Sequence, residues 1–178
     1  MKRSQGGRIG RTATALILWL GVAGSGFVGF VPRVEAAPKD GQVFQDWTIK
    51  CEGEEGAAER CVAFQNIVVT QSRQQLLTVA VGYLGPKGEP WVILTVPLGV
   101  LLQSGVALKV DEGPRFDAPF KICTAKGCEA GIPPEDDVLW LMKAGLVARI
   151  AFLDGITGRQ ITVPVSLKGF SAAFRTLK

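Results

Sequence analysis

Apolar and polar residues alternate along several short segments of this chain, which is the pattern of half-buried β-strands. In the first segment Trp47, Ile49 and Cys51 share one face, and polar residues occupy the positions between them. A period of two places alternate side chains on opposite faces of a strand. Further strands are predicted over 61–70, 76–84, 90–98, 106–110, 120–123, 128–132, 146–153 and 160–165. Short strands separated by frequent turns predict an all-β sandwich.

Turn residues divide these strands at short intervals. The clearest hairpin is the one around Gly85-Pro86-Lys87-Gly88, because apolar segments flank it on both sides. Both faces of its two strands are apolar, as expected for a sheet that is buried on one side and partly covered on the other. We interpret Tyr83 and Trp91 as core or rim packing. The Pro-bounded segment 114–119 is predicted to interrupt regular structure.

Two short helices are predicted in the C-terminal part of the chain. Pro133-Pro134-Glu135-Asp136-Asp137 has the composition of a helix start, since proline is tolerated there and acids favour the positive end of the helix dipole. The following apolar residues fit one buried stripe, and Gly145 would end the helix. A second helix has Phe170, Ala173, Phe174 and Leu177 on one face. It is expected to cover an open end of the sandwich.

Residues 1–36 have the features of a secretory signal peptide. A basic start precedes the charge-free, largely apolar stretch 13–30, and Val34 and Ala36 occupy the small-residue positions of a cleavage site. We expect cleavage after Ala36, a short linker over 37–44 and a single sandwich domain over 45–178. The alternative is an uncleaved anchor, because the apolar stretch approaches the length of about 17 residues that a membrane-spanning helix needs.

The charge of the chain belongs mostly to this leader. Residues 1–36 hold five of the twenty Lys and Arg and one of the sixteen Asp and Glu, so fifteen residues of each sign remain. A mature domain without net charge lacks the electrostatic attraction that nucleic-acid binding requires. We therefore expect no nucleic-acid partner, and membrane contact only through the N-terminal segment where it stays uncleaved.

Four cysteines and no histidine define the chemistry that the sequence allows. Without histidine, Ser-His and Cys-His nucleophiles are excluded. Cys51 and Cys61 flank one predicted hairpin loop, and Cys123 and Cys128 flank another. Export favours disulfides, and local pairing is preferred among the three possible connectivities. Structural zinc and a redox-active pair are weaker alternatives, because neither spacing matches their usual motifs.

No other residue pattern points to a reaction or a cofactor. The chain contains neither Gly-x-Ser-x-Gly nor Ser-x-x-Lys. Calcium at the acidic loop 52–60, or a metal at the acids of 135–137, is a lesser alternative to a solvated loop and a helix start. Paired carboxylates are left open, because only a fold brings two acids together. We expect no catalytic, cofactor-binding or metal-binding residues.

Several short motifs together resemble those of the invasion-associated locus B family. They are Trp47, Cys51, Pro97-Leu98-Gly99-Val100, Gly105-Val106, Val110-Asp111-Glu112-Gly113, Cys123, Gly127-Cys128, Phe152 to Asp154, Pro164 to Leu167, Gly169-Phe170 and Phe174. The resemblance covers roughly residues 43–177. It implies a small exported envelope protein of Gram-negative bacteria and an immunoglobulin-like sandwich.

The sequence thus predicts an exported, non-enzymatic protein of the periplasm or outer envelope, secreted by the general route. The resemblance implies a role in host-cell association or invasion, exerted by binding a protein in the envelope or on a host cell. The alternatives are a housekeeping or structural protein that binds another periplasmic component, and a cryptic enzyme or thiol-redox protein. The loops 52–60 and 111–119 are the candidate contact surfaces, because each is long or Pro-rich and carries charge.

Overall fold

The structure, a computed structural model, describes residues 37–53, 59–133 and 137–178. Eleven strands run through these residues: β1 (Val43–Phe44), β2 (Trp47–Glu52), β3 (Arg60–Val68), β4 (Gln75–Gly82), β5 (Trp91–Val96), β6 (Val106–Val110), β7 (Arg115–Ala118), β8 (Phe120–Thr124), β9 (Gly127–Ile132), β10 (Val147–Leu153) and β11 (Gln160–Ser166). The helices there are α1 (Val138–Ala144) and α2 (Phe170–Arg175). The described part of the chain contains no helix of the length and apolarity needed to cross a membrane. The expected leader 1–36 lies outside the described residues.

The strands form two antiparallel sheets. The large sheet has the order β1-β2-β3-β4-β5-β9-β8, and the small sheet has the order β11-β10-β6-β7. The chain crosses to the small sheet after β5, returns for β8 and β9, and crosses again after α1. This architecture confirms the predicted β-sandwich with two short helices.

The alternating pattern of the sequence builds the core between the sheets. The large sheet buries Trp47, Ile49, Leu77, Val79, Val81, Val92, Leu94 and Val96, and the small sheet buries Val106, Leu108, Val110, Ile150, Phe152, Val163 and Val165. Among the described residues, none of those buried is polar or charged. Burial of apolar surface, at about 25 cal/mol per Å², therefore holds the two sheets together.

Helix α2 covers the end of the sandwich, as the sequence predicts. Phe170 is fully buried, and its ring centroid lies 4.8 Å from that of Trp47 and 5.7 Å from that of Phe174. The helix follows Gly169, whose φ of 87° lies in the left-handed region that favours glycine. A Cβ at this position would collide with the carbonyl oxygen of Phe44. The turn before α2 thus requires glycine for two reasons.

Two strands lie where the sequence pattern predicts none. The predicted interruption at 114–119 is wrong, because β7 occupies Arg115–Ala118 and pairs with β6. β7 lies at the edge of the small sheet, with Pro114 and Pro119 just outside it, where proline removes no ladder hydrogen bond. In addition β1 pairs with β2, so the large sheet begins at Val43, upstream of the domain start expected at 45.

The first helix begins at Val138, later than the Pro-rich and acidic segment that predicts it. Val138 and Met142 are buried and Leu141 is half-buried, so the expected apolar stripe is present. The amide of Gly145 donates to the carbonyl of Leu141 at 2.7 Å and ends the helix as predicted. Asp137 precedes α1 without a capping hydrogen bond from its side chain. Residues 134–136 lie outside the described residues.

Candidate binding surface

The four cysteines form two disulfides between neighbouring strands. Cys51 faces Cys61 in the β2–β3 ladder, with an S–S distance of 2.05 Å. Cys123 faces Cys128 in the β8–β9 ladder, with an S–S distance of 2.07 Å. This is the local pairing preferred from the sequence. Stable disulfides are typical of proteins outside the reducing cytosol.

The disulfides also account for the sulfur atoms that a metal would use. Glu59 lies close to Cys51 and Cys61, in a group whose spacing would suit a metal ion. Both sulfurs of that group are bonded to each other, and a metal needs thiolates as ligands. The group is therefore explained as a disulfide with a neighbouring acid. For the proposed calcium loop and the acids of the helix start, residues 54–58 and 134–136 lie outside the described part of the chain.

Asp111, in the motif Val110-Asp111-Glu112-Gly113, supports the fold. Its carboxylate accepts hydrogen bonds from the amides of Leu146 and Val147 at 2.9 and 3.0 Å. These bonds stabilise the ionised form and lower the pKa of Asp111. The residue also has a φ of 44°, which turns the chain out of β6. Asp111 thus fastens the end of β6 to the start of β10.

Asp154 supports the β10–β11 turn in the same way. Its carboxylate accepts bonds from the hydroxyl and the amide of Thr157, both at 2.7 Å, and from the amide of Ile156 at 3.1 Å. The bonds from Thr157 lower the pKa of Asp154 most strongly. A general acid near neutral pH needs the opposite shift. Asp111 and Asp154 are therefore explained by structure rather than by acid–base chemistry.

A groove of about 1220 Å³ lies on the outer face of the large sheet, away from the core. Its floor follows β4, where Thr78 and Ala80 point outwards between the buried residues of the same strand. Its lining contains no residue of α1 or α2. The inner face of the large sheet is covered by the small sheet, whereas this part of its outer face is open to solvent.

Larger side chains of the neighbouring strands form the walls of the groove. Ala80 lies directly between Phe64 of β3 and Ile93 of β5 in the ladder, which gives a large-small-large row. In the next row Val62 leans over Gly82, where an added Cβ would lie 2.8 Å from its Cγ1 atom. Phe64, Ala80 and Ile93 are half-buried. The outer face therefore presents an apolar channel with small residues at its centre.

Charged side chains border the channel. The lining includes Lys50, Arg60 and Lys126 together with Glu52 and Glu129. The Lys50 ammonium lies 5.1 Å from the ring centroid of Phe64. None of these five residues takes part in the ion pairs found among the described residues, which join 109 to 112, 115 to 117 and 149 to 112. The border thus offers charges that are free to pair with a partner.

The same rim extends to Trp91, for which the sequence predicts packing. Trp91 is half-buried and lies across Gly131, where an added Cβ would be 3.0 Å from two atoms of the indole ring. The Lys121 ammonium lies above the indole, 3.9 Å from the ring centroid. Trp91 therefore packs at the rim beside the channel.

The candidate contact loops relate differently to the groove. Glu52 and Arg60 border it, while residues 54–58 between them lie outside the described chain. Residues 111–119 belong to the small-sheet side and do not line it. The groove itself is missed by sequence reasoning. The signal that marks it is the run of apolar residues on both faces of β4 and β5.

A two-sheet, disulfide-bonded β-sandwich with one exposed apolar channel has the features of a binding protein. Residues 47–178 match the family model for the invasion associated locus B (IalB) protein. The chain therefore belongs to the invasion associated locus B family.

Individual relatives agree with this assignment. Two invasion protein B homologs of Brucella abortus, from strain 2308 and from biovar 1 strain 9-941, are each 26% identical over 132 residues. These matches cover 74% of this chain and 75% of each relative. The crystal structure of invasion associated protein B from Bartonella henselae is similar with a TM-score of 0.66 and 26% identity, over 76% of this chain and 92% of that chain.

Proposed function

We propose that this protein is exported and acts in the envelope or at the cell surface as a non-catalytic, protein-binding member of its family. Membership of the family and the two disulfides support the location. The observation that carries the binding role is the open channel on the large sheet, with its apolar centre and charged border. Exposed apolar surfaces with a polar rim are typical of protein interaction sites.

Export requires that the leader be removed. We propose cleavage after Ala36 following secretion by the general route, so that the mature protein begins at Ala37. The intact mass of protein recovered from the envelope fraction tests this step. A mass that includes residues 1–36 would establish the uncleaved anchor instead.

The physiological role follows from the names of the relatives, which are invasion proteins. We propose that binding serves association with host cells or their invasion. A deletion strain and its complemented parent are compared for host-cell entry and for sensitivity to detergent, which reports envelope integrity. Loss of entry with normal detergent resistance is the expected result. Loss of resistance would instead support the housekeeping role.

Binding itself is tested in living cells. A photoreactive amino acid is introduced at exposed positions around the molecule, including Gln75 and Lys126 beside the channel and Ile156 and Thr162 away from it. After irradiation, adducts are resolved by electrophoresis and identified by mass spectrometry. We expect a protein adduct from at least one position. If none of the positions gives a protein adduct, the binding role is wrong.

A further inference from the structure

We propose that the channel on the large sheet receives an amphipathic α-helix of the partner protein, laid along β4, with acidic residues beside its apolar stripe. This inference rests on the proposed protein-binding function and specifies what the partner presents.

The dimensions of the channel fit a helix. Its walls stand on β3 and β5, two strand spacings apart, which is about 9.6 Å from one wall to the other. An α-helix with its side chains is about 10–12 Å wide. The small residues Thr78, Ala80 and Gly82 on β4 lower the floor between the walls. A single lipid acyl chain is too narrow to contact both walls.

The backbone excludes an extended peptide as occupant of this face. β4 is hydrogen-bonded to β3 on one side and to β5 on the other, so its amides and carbonyls already have partners. A strand lying on the face would find no backbone partner in the sheet, and burying its amides unpaired is costly. A helix satisfies these groups internally. Strand addition would require an edge such as β8, which lies away from β4.

The charges along the channel indicate which helix is preferred. Lys50 and Arg60 stand on the β2–β3 side, and Lys121 and Lys126 stand on the β8–β9 side. Each side has one acid nearby, Glu52 and Glu129 respectively. Positive charge therefore predominates on both sides of the apolar floor. A helix with Asp or Glu flanking its apolar stripe complements this distribution.

The length of β4 sets the length of the docked segment. Its eight residues extend over about 26 Å at 3.3 Å per residue. A helix that rises 1.5 Å per residue covers this distance with about 17 residues. Its contacts with the floor would recur at i, i+3, i+4 and i+7.

The photo-crosslinking described above identifies the occupant when the adduct peptides are sequenced. We expect Gln75 and Lys126 to be joined to one partner segment of helical apolar period with acidic flanks. A segment of alternating period, a lipid adduct or a second copy of this chain at these positions overturns the inference. Adducts only at Ile156 or Thr162 also overturn it, although the protein-binding function then stands.

The segment found is then synthesised and its affinity for the purified mature protein is measured by fluorescence anisotropy, with circular dichroism of the complex. We expect helicity to rise on binding. Ala80→Leu, which fills the channel, and the double variant Lys50→Glu/Lys121→Glu should each weaken binding more than tenfold. The matched controls Thr162→Leu and Lys168→Glu change exposed residues outside the channel and should bind as wild type.

Thermal unfolding of all four variants shows whether each is folded, so that lost affinity is not confused with lost structure. Equal binding by the channel variants and the controls would show that the segment docks elsewhere. Binding without a gain of helicity would likewise contradict the helical occupant.

Discussion

The indole N–H of Trp47 donates a hydrogen bond to the carbonyl oxygen of Ser166 at 2.9 Å, and so joins the first long strand of the large sheet to the last strand of the small one. Trp47 is fully buried. The Ser166 carbonyl also accepts a bond from the side-chain amide of Gln65 at 3.2 Å. Near this junction the seam between the sheets is thus closed by polar bonds as well as by apolar packing.

Replacing Trp47 by phenylalanine tests this junction. Trp47→Phe removes the hydrogen bond and leaves unfilled space in the core, so we expect the free energy of unfolding to fall by about 2 kcal/mol. Urea denaturation of the purified mature protein measures it. Trp140→Phe is the matched control, because Trp140 is 68% exposed, and it should stay within about 0.5 kcal/mol of wild type. Equal losses in both variants would contradict the role of the junction.

A second prediction concerns the turn before α2. Both Gly169 and Gly158 have positive φ, at 87° and 68°, but only at Gly169 does an added Cβ meet another atom within 4 Å. Gly158→Ala should therefore cost about 1–2 kcal/mol from backbone strain alone. Gly169→Ala should cost at least about 1 kcal/mol more, because the Cβ collides with the Phe44 carbonyl. Urea denaturation compares the two, and equal costs would contradict the collision.

The alternation of apolar residues predicts the long strands because six or more positions display a period of two. It misses β1, which has two residues, and β7, which has four residues between prolines. Strands this short have too few positions to show a period. Their existence depends on pairing with β2 and β6, which no local pattern contains.

The channel is missed for a related reason. Phe64, Ala80 and Ile93 become neighbours only through the register of three strands. The sequence shows that both faces of β4 and β5 are apolar, but it does not show which outward residues stand side by side. The disulfides are predictable by contrast, because each joins residues across a single hairpin, whose register follows from the chain itself.

Stability should depend on pH through Asp111. Hydrogen bonds from the amides of Leu146 and Val147 lower its folded-state pKa, so the folded protein holds the proton less strongly than the unfolded chain, whose value is about 3.9. The contribution of Asp111 is therefore complete above the unfolded pKa and is lost as the pH falls through the folded pKa. We expect unfolding to become easier in acid below about pH 5.

Asp111→Asn separates this residue from the other acids. The variant should be less stable than wild type at pH 7, and the difference should shrink as the pH falls to 3. Urea denaturation at pH 7, 5, 4 and 3 measures it. Asp137→Asn serves as control, since the Asp137 side chain makes no capping bond to α1. A difference between Asp111→Asn and wild type that stays constant with pH would contradict the assignment.

The two disulfides should contribute unequally to stability, because they close loops of different length. The sequence separation is 10 for Cys51–Cys61 and 5 for Cys123–Cys128. The chain-entropy relation gives about 2.7 kcal/mol for the first bridge and about 2.1 kcal/mol for the second. Both double Cys→Ala variants should fold, because the core between the sheets does not depend on either bridge. Alanine is preferred to serine, since Cys128 is buried and a hydroxyl there would lack a partner.

Thermal and urea unfolding of the two double variants measures these contributions, with reduced wild type as the reference that lacks both bridges. We expect each variant to melt below oxidised wild type, and the Cys51→Ala/Cys61→Ala variant to lose slightly more. Mass mapping of the remaining bridge confirms that it has not rearranged. Failure of either variant to fold would show that the sandwich depends on that bridge to form, which contradicts a core sustained by apolar burial alone.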